Sequence, residues 1–180
     1  CYGAPEPAEV KTRTIEKQME ISMPSFAIGF RCPDAGRGAD AMRMDLIGEM
    51  AGEMLVGESS KLYQKLYDEN VIDADFSVDY ERMKGMALLE LSGDSEDPRR
   101  ILREVLAEAA RVLETGVDRA LLARLKKSVT GRRLRELDGF EGTCYRMCAY
   151  YFDGAEYFDY PEIYASVTAE DVEQFFRENV

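Results

Sequence analysis

Acidic and hydroxyl side chains alternate with apolar ones along residues 72–81, and carboxylates in such a row can bind cationic or hydrogen-bonding groups. The polar positions are Asp73, Asp75, Ser77, Asp79 and Glu81. The apolar positions are Ile72, Ala74, Phe76, Val78 and Tyr80. Because successive side chains of a β-strand point to opposite faces, one face of this strand would enter a core and the other would meet water or a ligand.

Histidine is absent from the chain, and this limits the chemistry that the chain can do alone. Ser-His and Cys-His nucleophile systems and histidine-ligated zinc require that side chain, so this chain alone cannot build them. Four cysteines are too few for a disulfide scaffold and indicate a reduced protein. Cys144 and Cys148 are four residues apart on a predicted helix, where we favour small buried apolar residues over half of a metal site.

The composition is typical of one globular domain, with 180 residues, a net charge of -12 and a pI near 4.6. This charge argues against a nucleic-acid partner, which needs clustered Lys and Arg. No run of residues approaches a membrane span and no signal peptide is evident, so we expect a cytoplasmic protein with no membrane partner. Residues 1–13 are predicted to be a linker from an upstream domain, and the domain proper occupies 14–180.

Alternating and helical patterns predict the elements that position the row of acids. The predicted strands are 14–23, 26–32, 72–81 and 83–92, the last two forming a hairpin. The predicted helices are 39–56, 59–70 and those that begin at Asp97, Asp118 and Thr168. This order predicts an α+β two-layer domain, a mainly antiparallel sheet with helices packed on one face. The open face should present Thr14, Glu16, Gln18, Glu20, Asp73, Asp75, Asp79 and Glu81.

Two segments of biased composition are further candidates for binding surfaces. Residues 119–135 carry seven Lys or Arg and no acid, which suits an acidic ligand, although neutralisation by the chain's own acidic surface is favoured. Residues 145–164 hold eight of the eighteen aromatic residues, which suits a peptide or sugar groove, although packing against neighbouring helices is favoured.

The order of these motifs resembles the second half-domain of insulinase and pitrilysin type zinc peptidases, which include the mitochondrial processing peptidase subunits. The resemblance spans 15–180 and is carried by SSKLYQKLYDENVIDADFS, GDSEDPRRI, LKKSVTGRRLRELDGFEGTCYRMCAYYFDGAEYFD and SVTAEDVEQFF. It is strongest to a bacterial subgroup encoded in pairs, a zinc protease with an inactive-looking relative. On this resemblance, a final strand of the domain is cut off after Val180.

The resemblance implies a division of labour between two half-domains. The first carries H-x-x-E-H, in which two histidines bind zinc beside a general-base glutamate, and a further glutamate is the third ligand. The second has the same fold without zinc and closes over the first, so that an unfolded peptide lies between them, often by strand addition. This chain would be the non-zinc half, inactive alone, with the upstream zinc-bearing half-domain and the peptide as its partners.

The resemblance also supplies candidate substrate-binding residues. Members of the family place an arginine and a tyrosine in the segment that matches 65–76, where they hold substrate and stabilise the oxyanion. Here those positions are Tyr67 and the neighbourhood of Ala74, so the pattern is not met, although Tyr63 or Tyr67 could still donate a hydrogen bond. The resulting candidates are Tyr63, Tyr67, Asp73, Asp75, Ser77 and Asp79.

Two other functions are compatible with the sequence. The parent could be a catalytically inactive homologue that acts as a scaffold or partner subunit, in a homo- or heterodimer with a paired peptidase homologue. The aromatic segment 145–164 could instead form a sugar-binding module. An H-x-x-E-H motif in the upstream domain would separate a peptidase from a scaffold.

Overall fold

The computed structural model describes residues 10–83 and 85–180, which form three strands and seven α-helices. The strands are β1 (Ser25–Cys32), β2 (Ser77–Met83) and β3 (Met86–Asp94). The helices are α1 (Gly38–Val56), α2 (Lys61–Asp68), α3 (Pro98–Thr115), α4 (Arg119–Glu136), α5 (Phe140–Asp153), α6 (Tyr160–Ser166) and α7 (Ala169–Asn179), with one 3-10 turn at Tyr157–Asp159. Residues 1–9 of the predicted linker lie outside the described residues. None of the helices described is long and apolar enough to cross a membrane.

The sheet is antiparallel and has the strand order β1-β3-β2. β2 and β3 form the predicted hairpin, while β1 pairs with the other side of β3. Ala87, Leu89 and Leu91 of β3 are completely buried beneath the helix layer. The predicted α+β architecture, an antiparallel sheet with helices on one face, is therefore confirmed.

Helix α1 lies close against β2 because two glycines one turn apart face that strand. A Cβ atom on Gly48 would lie 2.4 Å from the ring of Tyr80, and one on Gly52 would lie 2.8 Å from the side chain of Val78. Only a residue without a side chain allows this approach. The contact covers the inner side of β2 and leaves its alternate residues on the opposite face.

Most helices begin where the sequence places a capping side chain. Ser60 caps α2, Asp97 caps α3, Asp118 caps α4, and Thr168 caps α7 through a reciprocal capping box with Asp171. Each side-chain oxygen accepts a hydrogen bond from a backbone N–H that has no partner within its helix. These predicted helix starts are confirmed.

The predicted strand over 14–23 is wrong, because residues 10–24 form no strand and lie exposed on the surface. Ile15 is 82% exposed and Met19 is 60% exposed, although the alternation assigned both to a buried face. A strand needs a neighbour for its backbone N–H and C=O groups, and no described strand pairs with this segment. The polar residues of the segment, Thr14, Glu16, Gln18 and Glu20, therefore do not belong to the open sheet face.

The predicted strand over 72–81 is correct only from Ser77 onward. In the preceding loop, the backbone N–H of Asp75 donates a hydrogen bond to the carboxylate of Asp73 at 3.0 Å. Aspartate side chains that capture their own backbone in this way favour a turn over a strand. Asp73 and Asp75 are therefore separated from the row of polar residues on β2.

Candidate functional site

The sheet face opposite the helices is open and is built from alternate residues of all three strands. Its three cross-strand rows are Glu81–Leu88–Arg31, Asp79–Glu90–Gly29 and Ser77–Ser92–Ala27. Ser77, Asp79 and Glu81 are exposed, whereas Val78 and Tyr80 contact α1 on the other side. The alternation of β2 thus produces the predicted two-faced strand over this shorter range.

Three carboxylates against one guanidinium, that of Arg31, give the open face a net negative charge. Asp79 lies directly opposite Glu90, and Glu81 is the next residue of β2 on the same face. Like charges in directly opposite positions destabilise a sheet. None of the three forms an ion pair with an Arg or Lys among the described residues. A cationic group that approached the face would relieve this repulsion.

Charged side chains of α1 and α4 approach the edge of the sheet that β2 forms. Burial raises the pKa of Glu53 on α1, Arg132 of α4 lowers it, and the neighbouring Glu58 and Asp79 carboxylates raise it. Asp79 therefore interacts with a carboxylate of α1 that lies close to a basic side chain.

Both edges of the sheet in the described residues are free, because β1 and β2 each pair only with β3. A free edge offers unpaired N–H and C=O groups that an extended chain can complete as a further strand. A chain added beside β2 would place alternate side chains next to Asp79 and Glu81. Main-chain pairing and charge recognition could therefore act at the same edge.

Tyr63 and Tyr67 lie at the end of the sheet, beside the loop that precedes β2. Their rings stack with centroids 5.9 Å apart, and the Tyr63 ring also lies 6.1 Å from that of Phe76. Burial raises the pKa of the Tyr63 hydroxyl, and Glu58, Tyr67 and Asp73 raise it further. The Tyr63 hydroxyl is thus a neutral hydrogen-bond donor at neutral pH.

The six predicted substrate-binding residues therefore fall into two groups. Ser77 and Asp79 lie on the open face, with the Ser77 hydroxyl 3.3 Å from that of Ser92. The other four lie around the α2–β2 loop, and they are Tyr63, Tyr67, Asp73 and Asp75. The structure places the two groups next to each other along the chain without bringing all six residues onto one surface.

Sequence reasoning missed the contribution of β3 to the open face. Glu90 and Ser92 face outward and alternate with the buried residues Leu89 and Leu91. The same period of two that identified β2 was present in β3 and could have found them. Leu88 was also missed, and its side chain covers Gly29 of β1, where a Cβ atom would lie 3.0 Å from it.

The described residues do not fit the zinc ion that the resemblance assigns to the other half-domain. They contain no group of three or more Cys, Asp or Glu side chains placed to hold a metal ion, and the chain has no histidine. Cys32 is buried, which raises the pKa of its thiol to about 11. Cys144 is half-buried and Cys148 is exposed, so the prediction that this pair is buried is wrong. The reason is that α5 turns their side of the helix away from the core.

The family of the chain is identified by comparison with known proteins. Residues 2–129 match the family described as the peptidase M16 inactive domain. The uncharacterized zinc protease YmfH of Bacillus subtilis (strain 168) is 26% identical to this chain over 167 residues. The matched region is 92% of this chain and 39% of that protein.

Solved structures share the fold. A protein from Alicyclobacillus acidocaldarius, described as an M16-like peptidase, gives a TM-score of 0.83 at 24% identity, over 88% of this chain and 38% of its own. A second structure is the inactive peptidase domain of a Bordetella parapertussis protein described as a zinc protease. It gives a TM-score of 0.69 at 15% identity, over 94% of this chain and 88% of its own. This chain thus spans about two fifths of the Bacillus and Alicyclobacillus proteins. With its three-stranded sheet, helix layer and matching residues, the chain belongs to the peptidase M16 inactive-domain family.

Proposed function

We propose that this domain closes the peptide chamber of a zinc metallopeptidase and binds unfolded peptide on its open sheet face. The observation that carries the proposal is that face, with helices on one side, two edges that no described strand pairs, and Asp79 directly opposite Glu90. An extended peptide can pair with a free edge through its main chain and place alternate side chains over the face. Basic side chains of the peptide would be favoured.

The chemistry of cleavage would belong to the other half-domain of a cytoplasmic parent protein. Zinc held there would polarise the peptide carbonyl and activate a water molecule. This chain would contribute binding and closure, which require no histidine. The relative from Bacillus subtilis bears the name of a zinc protease and is much longer than this chain, which is consistent with such a parent.

Charge reversal on the open face tests the binding step. The double variant Asp79→Lys with Glu90→Lys reverses the opposed pair, while Asp73→Lys with Asp75→Lys makes the same change of charge in the α2–β2 loop. Fluorescence anisotropy with unfolded basic and acidic peptides of equal length would measure the Kd of the isolated domain. We expect the face variant to weaken binding of the basic peptide about tenfold and the loop variant to change it less than about twofold.

Each outcome decides between the surfaces. Equal losses in the two double variants would show that general electrostatic attraction, rather than the open face, binds the peptide. An unchanged Kd for the basic peptide in the face variant would contradict the proposal. If the domain binds neither peptide and the upstream domain lacks H-x-x-E-H, the scaffold function, in a dimer with a paired homologue, is favoured instead.

A further inference from the structure

Helix α5 is built with its polar side toward the domain and its apolar side outward. None of its fourteen residues is buried. Its partly buried residues are Thr143, Cys144, Arg146, Tyr150 and Asp153, of which Tyr150 packs against the core. A surface helix of a globular domain normally turns an apolar stripe to the core. The orientation of α5 is therefore the reverse of the usual one.

Polar contacts fix α5 in this orientation. Asp153 accepts a hydrogen bond from Arg82 of β2 at 2.6 Å, and Arg82 also donates to Asp45 of α1 at 3.0 Å. In the middle of the helix, Arg146 pairs with Glu136 of α4, and nearer its start the Thr143 hydroxyl donates to the Glu136 carbonyl at 3.4 Å. Polar contacts along the inner side of α5 thus hold its apolar side outward.

The outer side of α5 is strongly apolar. Its large exposed side chains are Phe140 (84% exposed), Tyr145 (75%), Tyr151 (75%) and Phe152 (74%). The aromatic segment 145–164 therefore follows the favoured prediction only in part, since Tyr157, Tyr160 and Tyr164 pack into the domain, whereas Tyr145, Tyr151, Phe152 and Phe158 are exposed. Large apolar side chains exposed together on one side of a helix mark an interaction site.

A groove between α4 and α6 adjoins α5 through Tyr157, which lines the groove and stacks on Tyr150 of α5. It has a volume of about 700 Å³, and its walls include Leu134, Leu137 and Phe158. Lys126 and Lys127 also line it. Of the seven basic residues on this segment, Arg119 pairs with Glu170 and Arg133 pairs with Glu49. The other five form no ion pair with an acid among the described residues, and they are Arg124, Lys126, Lys127, Arg132 and Arg135. Of these five, only Lys126 and Lys127 line the groove, and Lys126 donates hydrogen bonds to the backbone carbonyls of Ala165 and Val167. An apolar partner with an acid opposite Lys127 would complement this groove.

We propose that the outer side of α5 and the adjoining groove, together called the α5 surface, dock against the other half-domain of the parent protein. This inference rests on the proposed function. The chain spans 39% of its Bacillus relative and 38% of the Alicyclobacillus protein, so most of each relative lies outside the matched region and is available to cover such a patch. Arg82 reaches α5 from the helix side of the sheet, so docking here leaves the open sheet face free for peptide.

Two other occupants fit the surface less well. An extended peptide gains its main-chain hydrogen bonds at a sheet edge, and the side of a helix offers none. A second copy would bring two chains together that each carry a net charge of -12, which opposes association. The remainder of one polypeptide is joined covalently and avoids the loss of translational freedom that separate partners incur.

Thiol reactivity tests the docking directly, because Cys148 lies on α5 and Cys32 lies in the core. Mass spectrometry would follow modification by N-ethylmaleimide in the isolated domain and in the longer chain that contains both half-domains. We expect Cys148 to react at least about tenfold more slowly in the longer chain, while Cys32 stays protected in both. Equal rates for Cys148 would overturn the α5 surface as the interface.

The same samples separate the possible failures. If Cys148 stays reactive while the isolated domain still binds basic peptide, the half-domains meet elsewhere and the proposed function survives. Protection of Cys148 in the isolated domain that grows with protein concentration would show that a second copy covers α5 and would also overturn the proposal.

A pair of variants provides an independent measurement. Tyr151→Ser with Phe152→Ser removes two exposed rings, so the unfolding midpoint of the isolated domain should not change. In the longer chain, the same variant should restore fast modification of Cys148. The matched control is Leu106→Ser, which removes an exposed apolar side chain from α3 and should leave Cys148 protected. Protection of Cys148 in the α5 variant equal to that in the control would contradict the proposal.

Discussion

Helices α3 and α5 are both amphipathic, yet they relate to the domain in opposite ways. α3 begins at an Asp97 cap followed by Pro98 and buries four apolar residues: Ile101, Val105, Ala109 and Val112. α5 lies between Gly139 and Gly154, has no side-chain cap at its start and buries no residue. α3 is therefore stabilised by the core of this domain, whereas α5 is held by ion pairs and by the packing of Tyr150, with most of its large apolar side chains exposed.

The largest difference between the two helices should appear when one large side chain is removed from each. Ile101→Ala leaves a cavity in the core and should lower the free energy of unfolding by about 3 kcal/mol. Tyr151→Ala removes a side chain that is 75% exposed and should change the free energy of unfolding by less than about 0.5 kcal/mol. Urea denaturation followed by circular dichroism would measure both. Similar losses in the two variants would show that α5 packs into the core after all.

A smaller effect is expected from breaking the polar anchor of α5. Arg82→Met leaves the carboxylates of Asp45 and Asp153 without their shared guanidinium and should cost about 2 kcal/mol, since all three side chains are only 19–23% exposed. Burial already raises the pKa of Asp45, so its charge is poorly tolerated without Arg82. Hydrogen exchange would show faster exchange in α5 than in α3.

The conservative variant of the same residue is the control for this anchor. Arg82→Lys keeps the positive charge but can reach fewer acceptors at once, so it should show an intermediate change. Exchange that accelerates equally in α3 and α5 would contradict the idea that this side chain anchors α5 in particular.

The smallest effect concerns caps, which α4 has and α5 lacks. Asp118→Ala removes the acceptor for the N–H groups of Ala120 and Leu121 and should cost about 1 kcal/mol at pH 7. The hydrogen bond from Leu121 holds the pKa of Asp118 below its ordinary value. An acid whose pKa is lowered by folding stabilises the fold above its unfolded pKa, and this stability is lost as the pH falls through the folded pKa.

The difference between wild type and Asp118→Ala should therefore be constant above about pH 5 and should disappear at strongly acidic pH, where the carboxylate is protonated. Urea denaturation at a series of pH values would measure it. Gly139→Ala at the start of α5 serves as the comparison, because no side-chain cap is lost there. A difference for Asp118→Ala that persists at pH 2 would mean that the carboxylate charge is not responsible.

Much of the fold could be predicted from the sequence because its signals are local. Capping side chains such as Asp97, Asp118 and Thr168 act within four residues, and the hairpin of β2 and β3 joins neighbours along the chain. The alternation over 14–23 failed because a strand also requires a partner, which periodicity does not reveal. The prediction that the strand begins at residue 72 failed for a different reason, since the Asp73 side chain accepts a backbone hydrogen bond and so favours a turn.

The candidate site was predictable only in part for a related reason. Periodicity identified Ser77 and Asp79 as outward-facing, but only the strand register shows that Asp79 lies opposite Glu90. Periodicity likewise predicts that α5 is a helix without saying which of its sides meets the domain. That choice depends on distant partners, such as Arg82 for Asp153, which are separated by 71 residues along the chain.

The strand order also has a consequence for synthesis of the protein. β1 is made first, but its partner β3 follows about 60 residues later, after α1, α2 and β2. At ribosomal speeds of roughly 5–20 residues per second, β1 remains without a partner for several seconds. The hairpin of β2 and β3, by contrast, can close as soon as it leaves the ribosome. Ser25–Cys32 is therefore the segment most exposed to chaperones, and to mispairing, while the chain is still being made.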